Sequence, residues 1–211
     1  METQVKQDES LTRSAFLLAF DLRKGRLTGR GELGYLLRAA ALSELLLAGH
    51  LADDSGKVRA LTAPAAHLGA LPAAVYEQIA AAPPRKWGHW VTKDGGKAVR
   101  LVRDELVAAR LIGVERRRIL FFPVERITPR KPYLSRRLAE RVAQAIRGGR
   151  PVDRLELDVR VLAALGTAAR HKAVPTHGRK ERIQQLSEPV EPIATALRKS
   201  VDAARSSHAA G

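Results

Sequence analysis

Glu32-Leu33-Gly34-Tyr35-Leu36-Leu37-Arg38-Ala39-Ala40-Ala41-Leu42-Ser43-Glu44-Leu45-Leu46-Leu47-Ala48 is composed almost wholly of helix formers, with one charged residue near its middle. Gly49 follows as a C-terminal stop, and Leu51 closes the apolar contact beyond it. The rest of the chain repeats this character. Of its 211 residues 45% are hydrophobic but only 4% aromatic, so the core is built of Leu, Ala and Val, which favours packed helices over a β-sandwich.

Working outward, residues 10–20 read as a short helix capped by Ser10 and stopped by a turn over 21–25, and glycines 25, 29 and 31 loosen the chain before the long helix. After the turn Asp53-Asp54-Ser55-Gly56, residues 57–61 form a short strand. Pro64 and Pro72 bracket a linker, residues 73–82 form a helix, and Pro83-Pro84 ends it. An Arg-rich helix over 135–147 stops at Gly148-Gly149, another covers 153–169, and a tail from Gly178 carries Pro189 and Pro192 before an amphipathic stretch over 193–204. Glu105-Leu106-Val107-Ala108-Ala109-Arg110-Leu111-Ile112 echoes Glu44-Leu45-Leu46-Leu47-Ala48-Gly49-His50-Leu51, and each precedes a basic strand, a weak repeat of helix followed by hairpin. The expectation is a mainly α protein with short β-hairpins: a flexible leader over 1–9, one domain over 10–204, and a frayed, flexible tail over 205–211.

Thirty-seven Lys and Arg against 22 acids give a formal charge of +15, so the long-range field favours a polyanion: nucleic acid, phospholipid headgroups or an acidic protein. The absence of Cys excludes disulfides and thiolate chemistry, and no apolar run reaches the roughly 20 residues of a membrane span. No secretory signal is read at the start, which places the protein in the cytoplasm, able to touch a membrane without crossing it. Phosphate-binding loops, nucleophile elbows and metalloprotease motifs are missing, so no catalytic residue and no cofactor is assigned. His171 and His177, the nearest pair in a polar stretch, read as loop residues and not as metal ligands.

Two basic constellations remain. Arg38 interrupts an apolar helix, where burying an unpaired guanidinium is costly, so it needs an anionic partner. Two readings stay open: a salt bridge, with Glu44 or Glu32 among the carboxylates, or a phosphate. The second constellation, residues 85–103, carries six Lys and Arg, one acid and both tryptophans. Trp90, beside Val91, is the core residue of the pair, and Trp87 lies nearer the surface, where tryptophan beside cations suits a headgroup site or stacked nucleotides.

The apolar run Ile119-Leu120-Phe121-Phe122 stands between Arg116-Arg117-Arg118 and Pro123. As a central strand it would bury Ile119 and Phe121 on one face and Leu120 and Phe122 on the other. As a hairpin tip in a basic collar, it pairs the two features a peripheral protein uses on an anionic membrane.

Phe16-Leu17-Leu18-Ala19-Phe20-Asp21-Leu22-Arg23-Lys24-Gly25-Arg26-Leu27, Leu36-Leu37-Arg38, the Glu44 to Leu51 motif and Leu106-Val107 leading into the hairpin, taken in order, resemble the Golgi phosphoprotein 3 family, in a bacterial-type member. The resemblance implies a central helical bundle wrapped by amphipathic helices. It also implies a peripheral, non-enzymatic adaptor that binds phosphatidylinositol 4-phosphate or a related anionic headgroup, with an apolar hairpin for membrane contact and self-association. On that basis Arg38, Arg100, Arg103 and Trp87 are the candidate headgroup ligands, and Ile119, Leu120, Phe121 and Phe122 the membrane-inserting hairpin. The chain departs from the family's pocket at Gly29, where a tryptophan is expected, and at Gly96 and Val99, where paired arginines fall; Arg100 and Arg103 keep the spacing four positions on. The rival reading is a pair of winged helices on nucleic acid, with residues 32–48 as a recognition helix, disfavoured because that helix has few polar groups to read bases.

Overall fold

The computed structural model describes residues 10–21, 26–27, 30–64, 68–119, 122–171 and 179–209. The fold is mainly α. Helix α1 (Leu11–Leu18) leads through a two-strand ribbon, β1 (Phe20–Asp21) and β2 (Arg26–Leu27), into the long helix α2 (Arg30–Leu47). Strands β3 (Leu51–Asp54) and β4 (Lys57–Ala60) form a hairpin, joined antiparallel by β5 (Arg85–Lys86) after helix α3 (Ala70–Ala80). Helices α4 (Trp87–Thr92) and α5 (Gly95–Ala108) precede the hairpin of β6 (Ile112–Ile119) and β7 (Phe122–Pro129), and α6 (Pro132–Arg147), α7 (Leu157–Ala168), α8 (Lys180–Ser187) and α9 (Glu191–Ala209) complete the bundle.

Helix α2 is the axis of the fold because it is apolar on every side. It packs against α1, α3, α4, α5, α7 and α9, and Leu36, Leu37, Ala39, Ala40, Ala41, Leu42 and Leu45 are all buried. A helix so enclosed offers no face to a nucleic-acid groove, and the recognition-helix reading of residues 32–48 fails on that ground.

Backbone contact sets how α2 meets α5. A Cβ added to Gly34 would lie 2.6 Å from the Gly95 Cα, so a side chain at that point would push the two helices apart. One turn further along α2 stands Arg38, which this crossing brings beside the entry to α5.

The echo between residues 44–51 and 105–112 is a repeated helix cap. After α2, Gly49 takes a φ of +74° and the His50 N–H donates to the Leu45 carbonyl at 2.9 Å; after α5, Arg110 takes a φ of +55° and the Leu111 N–H donates to the Leu106 carbonyl at 2.9 Å. Leu51 and Ile112 then enter the core as the first residues of their hairpins.

Several boundaries differ from the sequence reading. Helix α3 starts two residues before Pro72, which sits in its first turn, where the missing N–H has no intrahelical acceptor to lose. Val152–Arg154 form a separate 3₁₀ turn ahead of α7. Helix α8 lies in what reads as a tail, and with the 3₁₀ turn Glu188–Val190 it buries Leu186 and Val190. Helix α9 continues beyond 204 in place of a frayed end, and Arg205 donates to Glu32 Oε1 at 2.9 Å.

Hairpin β6–β7 settles the position of the apolar run. Its register pairs Ile112 with Pro129 at the base and Ile119 with Phe122 at the end, in a sheet of two strands only. The two ends of the run, Ile119 and Phe122, pair with each other as the last rung of the described ladder and not within a central strand; Leu120 and Phe121 lie outside the described residues. Eight residues per strand carry the tip about 26 Å from the base.

Candidate anion-binding site

Arg38 is 1% exposed and, among the described residues, meets no carboxylate in a salt bridge. Its Nε donates to the Trp90 carbonyl at 2.8 Å and its Nη1 to Gln78 Oε1 at 2.9 Å, while Nη2, also buried, has no hydrogen-bond partner among the described residues. The salt-bridge reading is thereby overturned. Glu44 accepts from the Ser10 hydroxyl and the Thr12 N–H at the start of α1, and Glu32 accepts from Arg205.

The negative charge that acts on Arg38 is Asp94, at a φ of +51° in the turn that opens α5, whose Oδ2 accepts from Gln78 Nε2 at 3.2 Å. Gln78 thus links the guanidinium to an exposed carboxylate without a direct ion pair. Burial pulls the Arg38 pKa down to about 10, against the opposing pull of Asp94, so the group is still cationic at neutral pH.

Other cations stand along and beside α4, Arg85 before it, His89 within it and Lys93 after it. The His89 imidazole has its pKa lowered first by its partial burial and then by Arg85, Lys93 and Arg38, which is the electrostatic signature of four basic groups in one neighbourhood. His89, Arg85 and Lys93 were not singled out in the sequence, although all three lie in its basic segment. The Trp90 Nε1 is a second buried donor without a partner.

The other candidate ligands do different work. Arg103 ties α5 to the hairpin, its Nη1 donating to Glu125 Oε2 at 2.6 Å and its Nη2 standing 2.8 Å from Asp104 Oδ1. Partial burial opposes its charge, but these two carboxylates outweigh that and raise its pKa. Arg103 lies nine residues into the chain beyond Asp94, about 13 Å along the helix axis, so it positions the hairpin and does not face Arg38. Arg100 is exposed on α5, away from the buried Ala98, Val102 and Leu106 stripe. Trp87 is 3% exposed, not superficial, and its Nε1 donates to Asp53 Oδ1, which locks α4 to strand β3. Trp90 is buried as expected.

His171 is 9% exposed and engaged, not a solvated loop residue. Among the described residues no His, Cys, Asp and Glu group is arranged to hold a metal, and no helix is long and apolar enough to cross a membrane. A search of curated proteins finds no match to the chain. The family model described as Golgi phosphoprotein 3 (GPP34) matches residues 11–204, which takes in every helix and strand above except the last turn of α9. With an arginine buried in the central helix and an apolar-tipped hairpin following α5, the chain belongs to the Golgi phosphoprotein 3 family.

Proposed function

We propose that this protein is a cytoplasmic, non-enzymatic adaptor that docks peripherally on anionic membrane, holding a phosphorylated headgroup at Arg38 and inserting the β6–β7 tip. The observation that carries the reading is the unspent Nη2 of a guanidinium that is otherwise fully enclosed. A buried charge with neutral partners and an unused donor has the chemistry of an anion site, because an incoming phosphate supplies both the missing acceptor and the missing charge. In the free protein Asp94 stands closest to that role. A phosphate competes with it, and Gln78, whose amide already bridges the two, is the side chain that must turn.

The energies suffice for reversible attachment. A cation near an anionic surface contributes about 1 kcal/mol, and a buried Phe or Leu roughly 1.5–3 kcal/mol. Neither contribution alone holds a protein firmly, which fits a surface that joins a basic cluster to an apolar tip. Self-association through the hairpin is compatible with this reading, and the protein partner it would recruit is unassigned.

Liposome flotation tests the proposal. The protein should float with vesicles containing phosphatidylinositol phosphate and remain with the soluble fraction when the vesicles are neutral, and raised salt should weaken the association. Equal flotation with neutral vesicles at every salt concentration would overturn the electrostatic half of the reading.

A further inference from the structure

A cavity of about 330 Å³ opens at the C-terminal end of α6, around Gly148 and Gly149. Both glycines adopt conformations that side chains rarely take, with φ of +102° and +107°, and a Cβ on Gly149 would meet nothing within 4 Å. At these two positions the cavity is lined by backbone without side chains. Four arginines from three parts of the chain line the walls, Arg141 from α6, Arg150 and Arg154 from the connection to α7, and Arg182 from α8, against a single carboxylate, Glu156.

The charges divide into two kinds. Arg141 is balanced: it meets Glu156 and, at 3.5 Å, Asp158. Arg182 is fixed but not neutralised, because its Nε donates to the Ala145 carbonyl at 2.6 Å and its Nη2 to the Arg150 carbonyl at 2.8 Å. The first of those bonds also covers one of the last carbonyls of α6, whose negative helix end otherwise opposes an anion. Arg150 and Arg154 have no side-chain partner among the described residues, and both are exposed at the rim. Capping α6 needs one cation. The convergence of three uncompensated ones on one concave space suits linked phosphate groups, since each guanidinium offers a planar pair of donors.

We propose that this cavity is a second anion site, separate from Arg38, that takes a small ligand carrying two or more phosphate groups. Its volume is at the low end for a small-molecule pocket and far too small for a duplex. Sixteen residues of α6, about 24 Å, separate it from the base of the hairpin, so it is not part of the surface the tip presents. The same phosphate chemistry could arrive free in solution or on a lipid headgroup, and the two sources are separable.

The test is calorimetric titration of the full chain with pyrophosphate at fixed ionic strength. Wild type should bind saturably. The double variant Arg150→Ala/Arg154→Ala removes only exposed, unpaired side chains, so its far-ultraviolet circular dichroism should match wild type while its affinity falls by about tenfold or more. Arg137→Ala/Arg147→Ala, which removes the same charge from exposed positions of α6 outside the cavity, should stay within about twofold of wild type, the change expected of screened long-range charge. Absence of saturable binding, or equal losses in the two double variants, would overturn the site. Vesicles of phosphatidylcholine containing phosphatidylinositol phosphate then identify the source: a headgroup site is indicated if they displace pyrophosphate from the Arg38→Ala protein, and a soluble ligand if they do not.

Discussion

The Arg38 Nε donates to the Trp90 carbonyl oxygen at 2.8 Å, joining positions 52 apart in the chain. Helix α4 has six residues, so the Trp90 carbonyl is among the final four that find no partner within the helix. A guanidinium at this point closes the α4 terminus and sets its charge against the negative end of the helix. Nε and Nη1 thus hold α4 and α3 on α2, and Nη2 keeps no partner among the described residues.

In the proposed function, Asp94 is the group that an incoming phosphate displaces. Asp94→Asn retains a residue that tolerates the left-handed conformation and keeps an acceptor for Gln78, while deleting the competing charge. The variant should bind a phosphorylated headgroup more tightly than wild type, by roughly threefold to tenfold, in the range of a partly screened charge pair. Unchanged or weaker binding in isothermal titration would remove Asp94 from the site.

The hairpin carries the second half of the account. Because the Ile119–Phe122 pair closes the ladder, Phe121→Ser with Phe122→Ser should lower partitioning onto anionic vesicles and leave the thermal midpoint close to wild type. Had these residues been core, the pair would cost several kcal/mol, and a large fall in midpoint by calorimetry would show it.

Stability should depend on pH through Glu44. Burial raises its carboxyl pKa, with the hydrogen bonds from Thr12, Ser10 and Leu11 opposing and the Glu105 charge adding to the rise. A raised carboxyl binds a proton in the folded state that the unfolded chain has already released, so stability should fall as pH rises from about 4.5 through the folded value. Glu44→Gln cannot titrate and should flatten that part of the profile of thermal midpoint against pH. A wild-type profile with the same shape as the variant's would contradict the assignment.

What was legible in the sequence follows the range of the interactions. Helices α2 and α6 announce themselves by composition and by Gly49 and Gly148-Gly149 just beyond them, all local signals. Helix α8 does not, because Lys180–Ser187 has two apolar residues among polar ones, and it is held by what Leu186 meets in the core. Trp87 stands among cations in the chain, yet its N–H is taken by Asp53, 34 positions away on strand β3. Arg103 has the spacing of a headgroup ligand, but Glu125 reaches it from the facing hairpin, 22 positions on. For Arg38 the need for a partner was readable from its apolar neighbours, whereas the partners found, an amide and a backbone carbonyl, are neutral groups that no charge pattern reveals.

The central claim is that Arg38 holds an anion, and flotation of three variants with phosphatidylinositol phosphate vesicles tests it most directly, each scored per folded molecule by circular dichroism. Arg38→Ala should lose about tenfold or more in association, the worth of a charge-assisted bond. Arg38→Lys should recover only part of it, because an ammonium cannot reach Gln78, the Trp90 carbonyl and a phosphate together. Arg147→Ala, at an exposed position on α6, should trim only the general attraction, by about twofold. Equal losses in Arg38→Ala and Arg147→Ala would contradict the account and leave Arg38 as the C-terminal cap of α4 alone.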